Sequence, residues 1–316
     1  MSVFENVINE ANKKNEVKDV TPESVEIADE GEGKKSFAER MAEKKNQCYA
    51  MIDDACLNSV SSVENLRQFL NVQSRFDKYS LNNALLIFAQ KPDAVKVKDF
   101  DAWKKDDISI KKGAKSFMIL EPSPYKGTDG KMHRGYNAKN VFDISDVEAP
   151  EEALPQPKSY EQKQLVAALV HEAPVPVRKA EHSLGENDAI YDAKNKVVYF
   201  KAGLDFETIF PAIAKALAHA EMAKDVENYR IGEHEFAARC SAYVISQRYG
   251  VDTRTVDVYG IPKNIETMEA EDVKKVLGDV HSNVKTINAR MNESLEQTQN
   301  KEQRTPNKGS KNREER

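Results

Sequence analysis

The hydrophobic period of this chain changes at Pro92, and that change restricts the fold more than any other feature. Before it, apolar residues recur at helical spacing. Phe37, Met41, Cys48, Met51, Ile52 and Leu57 mark one helix within 34–57. SSVENLRQFLNVQSRF marks a second, starting at Ser61 or Ser62, with Ser61 and Glu64 spaced as a capping box. SLNNALLIFAQ marks a third, with Ser80 as its N-cap, and it must end before Pro92. After Pro92, AVKVKDF and ISIKKGAKSFMIL alternate at the period of a strand, around a helical or turn segment, DFDAWKKDD. The glycine-rich SPYKGTDGKMHRGYNAKN reads as a hairpin or long loop, and NVFDISDV as a further strand. Helices followed by a small, mostly antiparallel sheet make an α+β arrangement.

The period changes again beyond DVEAPEEALPQPKSYEQ, whose Pro and Glu content suits a linker. EQKQLVAALVHEA is a helix, AIYDAKNKVVYFKAG a short β-hairpin, and FETIFPAIAKALAHAEMA a helix with Pro211 expected in its first turn. EHEFAARCSAYVISQRYG is a helix closed by Gly250. The last helix, from about Ala270 to Gln299, carries Val273, Val276, Leu277, Val280, Val284, Ile287 and Met291 along one face, for packing on its own domain or on a partner helix. The expected organisation is an acidic disordered tail (1–33), an α+β domain (34–150), a linker (151–162), a mainly helical domain (163–268), the C-terminal helix (269–299) and a basic disordered tail (300–316).

The net charge of −5 does not advertise a nucleic-acid binder, so any such function rests on local charge. The charge is uneven. Residues 1–33 hold nine acidic groups and three lysines, whereas 301–316 hold six basic and three acidic. From Val72 to Lys115 there are ten basic and six acidic residues. No apolar run reaches the roughly 18–20 residues of a membrane helix, so no membrane partner is expected. The N-terminus lacks the pattern of a secretory signal, and three cysteines without a C-x-x-C suit a reducing compartment, so a cytoplasmic location is expected.

Several motifs stand in a defined order: Y-S-x-x-N at Tyr79, Ser80 and Asn83, Q-x-P at Gln90 and Pro92, Trp103, and KKG-x-K at Lys111–Lys115. VFDIS at Val141–Ser145, DAIYD at 188–192, ALAHA at 216–220 and SAYVISQRYGVDT at 241–253 complete the series. In this order and spacing, residues 35–265 resemble the ArdC-like anti-restriction proteins of plasmids, conjugative elements and phages. The resemblance implies an N-terminal single-stranded-DNA-binding domain and a C-terminal zinc-metallopeptidase-like domain. It also implies single-stranded DNA as partner, with restriction or DNA-transfer proteins as further candidates. Cations that track phosphates and flat rings that stack bases are the chemistry such binding needs. Arg75, Lys78, Tyr79, Trp103, Lys111, Lys112 and Lys115 could supply it. For Asn83 and Gly113 the expected roles are structural: a tie from helix to a neighbouring loop, and a turn between strands.

A helix-borne zinc site needs histidines at i and i+4 on one face, with a glutamate base after the first. Here the first ligand position is Lys215, the base position Ala216, and only His219 remains. In the resembling pattern a further ligand glutamate falls at Arg239. Neither cation can bind zinc, so no cofactor is expected, zinc included, and the domain reads as a pseudo-metallopeptidase rather than an enzyme. Glu221, His234 and Glu235 are nearby replacements, with Glu221 pointing elsewhere and Glu235 able to reach the His219 face. Lys215 and Arg239 could pair with a carboxylate such as Glu235, or hold an anion such as phosphate. Rival readings are a metalloprotease with displaced ligands and a protein-binding adaptor without DNA affinity.

Overall fold

The computed structural model describes residues 36–304, apart from 157, 158, 255, 257 and 259. The expected tail at 1–33, and that beyond 304, lie outside the described residues. Three helices come first: α1 (Phe37–Ser59), α2 (Val63–Arg75) and α3 (Leu81–Gln90). Ser62, not Ser61, caps α2, its side chain accepting from the Asn65 N–H. Ser61 instead donates its hydroxyl to the Asn58 carbonyl at 2.8 Å. Glu64 therefore lies one position short of a capping box. Ser80 caps α3 as expected, accepting from Asn83 N–H.

The sheet that follows has the order β1 (Val97–Lys98), β5 (Tyr136–Asp143), β2 (Phe117–Pro122), antiparallel throughout, with helix α4 (Phe100–Lys105) between β1 and β2. The glycine-rich stretch forms a separate ribbon, β3 (Tyr125–Lys126) paired with β4 (Met132–His133). Strand β2 lies at the sheet edge, and α3 closes that edge chemically. The side-chain amide of Asn83 donates to the Leu120 carbonyl at 2.9 Å and accepts from the Leu120 N–H at 2.8 Å. Gln90 repeats the device one strand pleat away, donating to the Met118 carbonyl at 2.8 Å and accepting from its N–H at 2.9 Å. Residues seven apart on a helix thus match residues two apart on a strand, and two amides satisfy groups that an exposed edge would offer to another chain. Asn83 therefore ties the helix to a strand rather than to a loop.

Asp143 completes this part. It is buried, and one carboxylate oxygen accepts from the Val95 and Lys96 N–H groups at 2.7 and 2.9 Å. Burial alone would raise its carboxyl, but these main-chain donors and Ser145 hold it below the usual carboxylate range.

The second half brings α5 (Gln162–Val170), then a three-stranded sheet of order β6 (Val177–Lys179), β8 (Val197–Phe200), β7 (Ala189–Asp192). The β7–β8 hairpin matches the sequence reading. The parallel strand β6 does not: at three residues, next to Pro174 and Pro176, it carries no alternation to detect. Helices α6 (Phe206–Met222) and α7 (Ile231–Arg248) pack on each other, and Gly250, at φ +70°, ends α7 as expected. Asp205 caps α6 and Phe206 is its first residue, so Pro211 lies in the second turn rather than the first. A short helix, α8 (Lys263–Glu266), leads to α9 (Ala270–Arg304), which runs five residues past the expected end at Gln299.

The expected boundary at 150 does not interrupt the core. Buried residues of α1–α3 and β2 join those of α5, α6, α7 and α9 in one cluster. Polar ties cross the same interface: the Tyr243 hydroxyl donates to the Asn71 side-chain carbonyl at 3.2 Å, and Arg248 donates to the Ser74 carbonyl at 3.0 Å and pairs with Asp77 at 2.8 Å. The apolar face of α9 packs on the chain itself, with Val273, Leu277, Val280, Val284, Ile287 and Met291 buried.

Candidate functional site

On α6, alanines 214, 216, 218 and 220 are buried, on α7 alanines 237, 238 and 242 are buried, and the two helices pack on each other. Small side chains allow close approach of the two helices. Polar groups at one end of this contact form a cluster. The carboxylate of Glu235 on α7 accepts from Lys215 Nζ at 3.0 Å through one oxygen and lies 2.9 Å from His219 Nε2 through the other. A carboxylate only accepts, so Nε2 carries the proton. His219 Nδ1 shares a 2.7 Å hydrogen bond with the Tyr229 hydroxyl. The Tyr229 ring stacks on His234, with centroids 4.7 Å apart and planes at 13°, and meets Tyr191 edge-on.

Burial alone would raise the Glu235 carboxyl, but the His219 hydrogen bond and the Lys215 charge outweigh it and bring it down to about 2. Burial pushes the Tyr229 hydroxyl well above its usual range, so it stays protonated.

This geometry sorts the replacement ligands. Glu235 reaches the His219 face, as its place one turn before Arg239 suggested. Glu221 points away, held by Arg290 on α9 and by Lys224 at 2.7 Å. His234 is committed to the Tyr229 ring. Lys215 and Arg239 line a cavity of about 190 Å³ together with Pro211, Glu186 and Asp188. Two carboxylates share that lining, and Lys215 is paired with Glu235, the first of the two arrangements expected for it. The residues do not fit a zinc ion. Lys215 has no lone pair to offer while it is an ammonium, and both imidazole nitrogens of His219 are engaged. Ala216, at the base position, is packed in the core. Among the described residues, no three His, Cys, Asp or Glu side chains are grouped to hold a metal.

The nucleic-acid candidates are more dispersed. Trp103 is 0% exposed and its Nε1–H donates to the Phe142 carbonyl at 3.0 Å. It anchors a small core with Ile108, Ile144 and Val147, and Lys98 Nζ stands 5.2 Å from its ring centroid. A ring with no free face cannot stack on a base, so Trp103 is withdrawn from the stacking set. The guanidinium of Arg75 donates to the Ala94 carbonyl at 2.8 Å and to the Pro92 carbonyl, fixing the turn after α3. Tyr79 is half-buried against Phe76, its hydroxyl 3.3 Å from the Val97 carbonyl. Lys111 donates to the Ser145 carbonyl at 2.9 Å from an exposed position. Lys78, Lys112 and Lys115 project into solvent, the last two flanking Gly113 at φ +83°. Lys104 and Lys105, outside the candidate set, are equally exposed on α4.

The class defined is an α+β protein in which two packed helices bring Lys215, His219 and Glu235 into one cluster. No protein-family model matches the chain, and no curated protein matches it in sequence. Among solved structures it is similar to the antirestriction protein ArdC from plasmid R388 in its metal-free form: 13% identity, a TM-score of 0.47, 68% of this chain and 85% of that one. The Mn(II)-bound form of the same protein gives 11% identity and a TM-score of 0.48, over 68% of this chain and 84% of that one.

Proposed function

We propose that this chain is an ArdC-like accessory protein that binds single-stranded DNA, in anti-restriction or DNA transfer, and carries a metallopeptidase-like half without metal chemistry. The ordered motifs support the family reading. Asn83, Gln90 and Asp143 have defined structural duties, which explains why those residue types stand at that spacing. The observation that carries the DNA-binding part is a set of uncommitted cations. The side chains of Lys78, Lys104, Lys105, Lys112 and Lys115 are exposed and make no hydrogen bond or ion pair among the described residues. They lie within the Val72–Lys115 stretch, where basic residues outnumber acidic ones ten to six. Such lysines meet phosphates without base readout, so the expected binding is strongly salt-dependent and indifferent to sequence.

The pairing of Lys215 with Glu235 supports the absence of metal chemistry, because the ammonium already satisfies the carboxylate a metal would need. The test is fluorescence anisotropy of the full chain with a labelled single strand and with its duplex. Binding of the single strand that weakens steeply as salt rises is expected. No binding at about 50 mM salt, where the phosphate contribution is large, refutes the DNA-binding reading. Stoichiometric zinc in the purified chain would refute the metal-free reading and favour a protease with displaced ligands.

A further inference from the structure

With Trp103 buried, the proposed single-strand binding lacks a flat surface for bases, and the β3–β4 ribbon provides one. Its two strands pair only with each other. Tyr125 and His133 are directly opposed, and their rings stack with centroids 5.6 Å apart and planes at 25°. Glycines under both rings make this possible. A Cβ at Gly135 would stand 2.9 Å from the Tyr125 ring, and one at Gly127 would stand 2.5 Å from the His133 ring. Asp129 fixes the imidazole from the turn, 2.9 Å from Nε2. The outer face of Tyr125 remains open, with the residue 56% exposed, and Met132 is 66% exposed. Isolated exposed apolar side chains are ordinary, but a braced ring pair on a projecting ribbon is not needed for packing.

The charge around the rings is one-sided. The side chains of Lys126, Lys131 and Arg134 are exposed and make no hydrogen bond or ion pair among the described residues. Asp129, the one acidic residue of the 123–136 segment, is committed to His133 and to the Lys131 N–H. A polyanion that also offers unpaired flat rings complements this surface, and single-stranded nucleic acid is that ligand. Duplex DNA hides its bases and would meet only the cations.

We infer that the 123–136 ribbon is the base-stacking element of the protein, with Tyr125 receiving a base and Lys126, Lys131 and Arg134 holding the adjoining phosphates. The inference rests on the single-strand-binding reading above. The test uses the full chain and a fluorescein-labelled oligothymidylate. Tyr125→Ala is expected to weaken binding by about fivefold or more, the loss of one base–ring stack. Tyr125→Phe, which keeps the ring, is expected to bind like the parent. The triple variant K126A/R134A/K131A is expected to lower the dependence of log affinity on log salt by about 2. A 5-iodouracil strand is expected to cross-link to Tyr125. If the parent binds and Tyr125→Ala and the triple variant bind equally well, the inference is overturned while single-strand binding stands. Equal losses in the Ala and Phe variants also overturn it, because the hydroxyl rather than the ring would be responsible. If the parent does not bind, both readings fall.

Discussion

The Lys215–Glu235–His219 cluster makes a stability prediction that can be worked from its geometry. The perturbation is Glu235→Gln, which keeps the shape and removes the charge. The Glu235 carboxyl titrates at about 2 in place of 4.5. That difference corresponds to about 3 kcal/mol if all of it is native-state stabilisation. The side chain is 32% exposed, so screening by solvent reduces the expected contribution to about 1–2 kcal/mol. A folded-state pKa below the unfolded value stabilises above the unfolded value and is lost as pH falls through the folded one. The contribution is therefore complete above about pH 5, declines from there and is gone near pH 2. Urea melts of parent and variant from pH 7 down to pH 3 read it directly. The parent is expected to be more stable at pH 7, and the gap to narrow as pH falls, even though other carboxylates lower both curves. Lys215→Met and the double variant close a mutant cycle, in which a coupling of about 1 kcal/mol or more is expected from residues in contact. An unchanged midpoint in Glu235→Gln at pH 7, with a gap that ignores pH, refutes the claim that the cluster carries stabilising charge.

Three further outcomes follow from contacts already described. Asn83→Ala strands the Leu120 N–H and carbonyl at the sheet edge and is expected to cost about 2–4 kcal/mol in urea melts, with a matched Leu variant no better. Ala216→Glu puts an unpaired carboxylate in the buried core beneath α6, so expression as an aggregate or a stability loss of about 3 kcal/mol or more is expected, and a soluble variant of parental stability contradicts the packing there. Lys215→His sets two imidazoles one turn apart beside Glu235, so stoichiometric zinc by elemental analysis and a metal-dependent rise in Tm are expected, and a metal-free variant argues against a shared face.

What the sequence disclosed, and what it hid, divides along physical lines. Helix ends were legible where a single side chain decides them, as at Ser80 and Gly250. The start of the second helix stays open between Ser61 and Ser62 in the sequence, because two adjacent serines can each serve as a cap and only the chain path chooses Ser62. Pro211 was assigned one turn early for the same reason, since the helix start depends on Asp205. The short parallel strand β6 left no periodic trace. Trp103 illustrates a different limit. A tryptophan among lysines has one composition whether the lysines surround an exposed ring or pass over a buried one, and Lys98 beside the Trp103 ring shows the second case. The stacking ring at Tyr125 went unnoticed because its signal, glycines opposite aromatics across a ribbon, needs the register Tyr125↔His133 to be seen.

The cluster on α6 and α7 can be followed as a chain of physical requirements. Helices α6 and α7 pack on each other, and His219 on α6 is buried. A buried imidazole there requires partners for both nitrogens. Tyr229 supplies one, and Glu235, from twenty residues beyond Lys215, supplies the other. The carboxylate so introduced needs a cation in turn, and Lys215 stands one turn before His219 on the same face to provide it. Each group is thus the physical complement of the next, and the set closes on itself: the ammonium meets the carboxylate, the carboxylate meets the imidazole, and the phenol meets the second imidazole nitrogen.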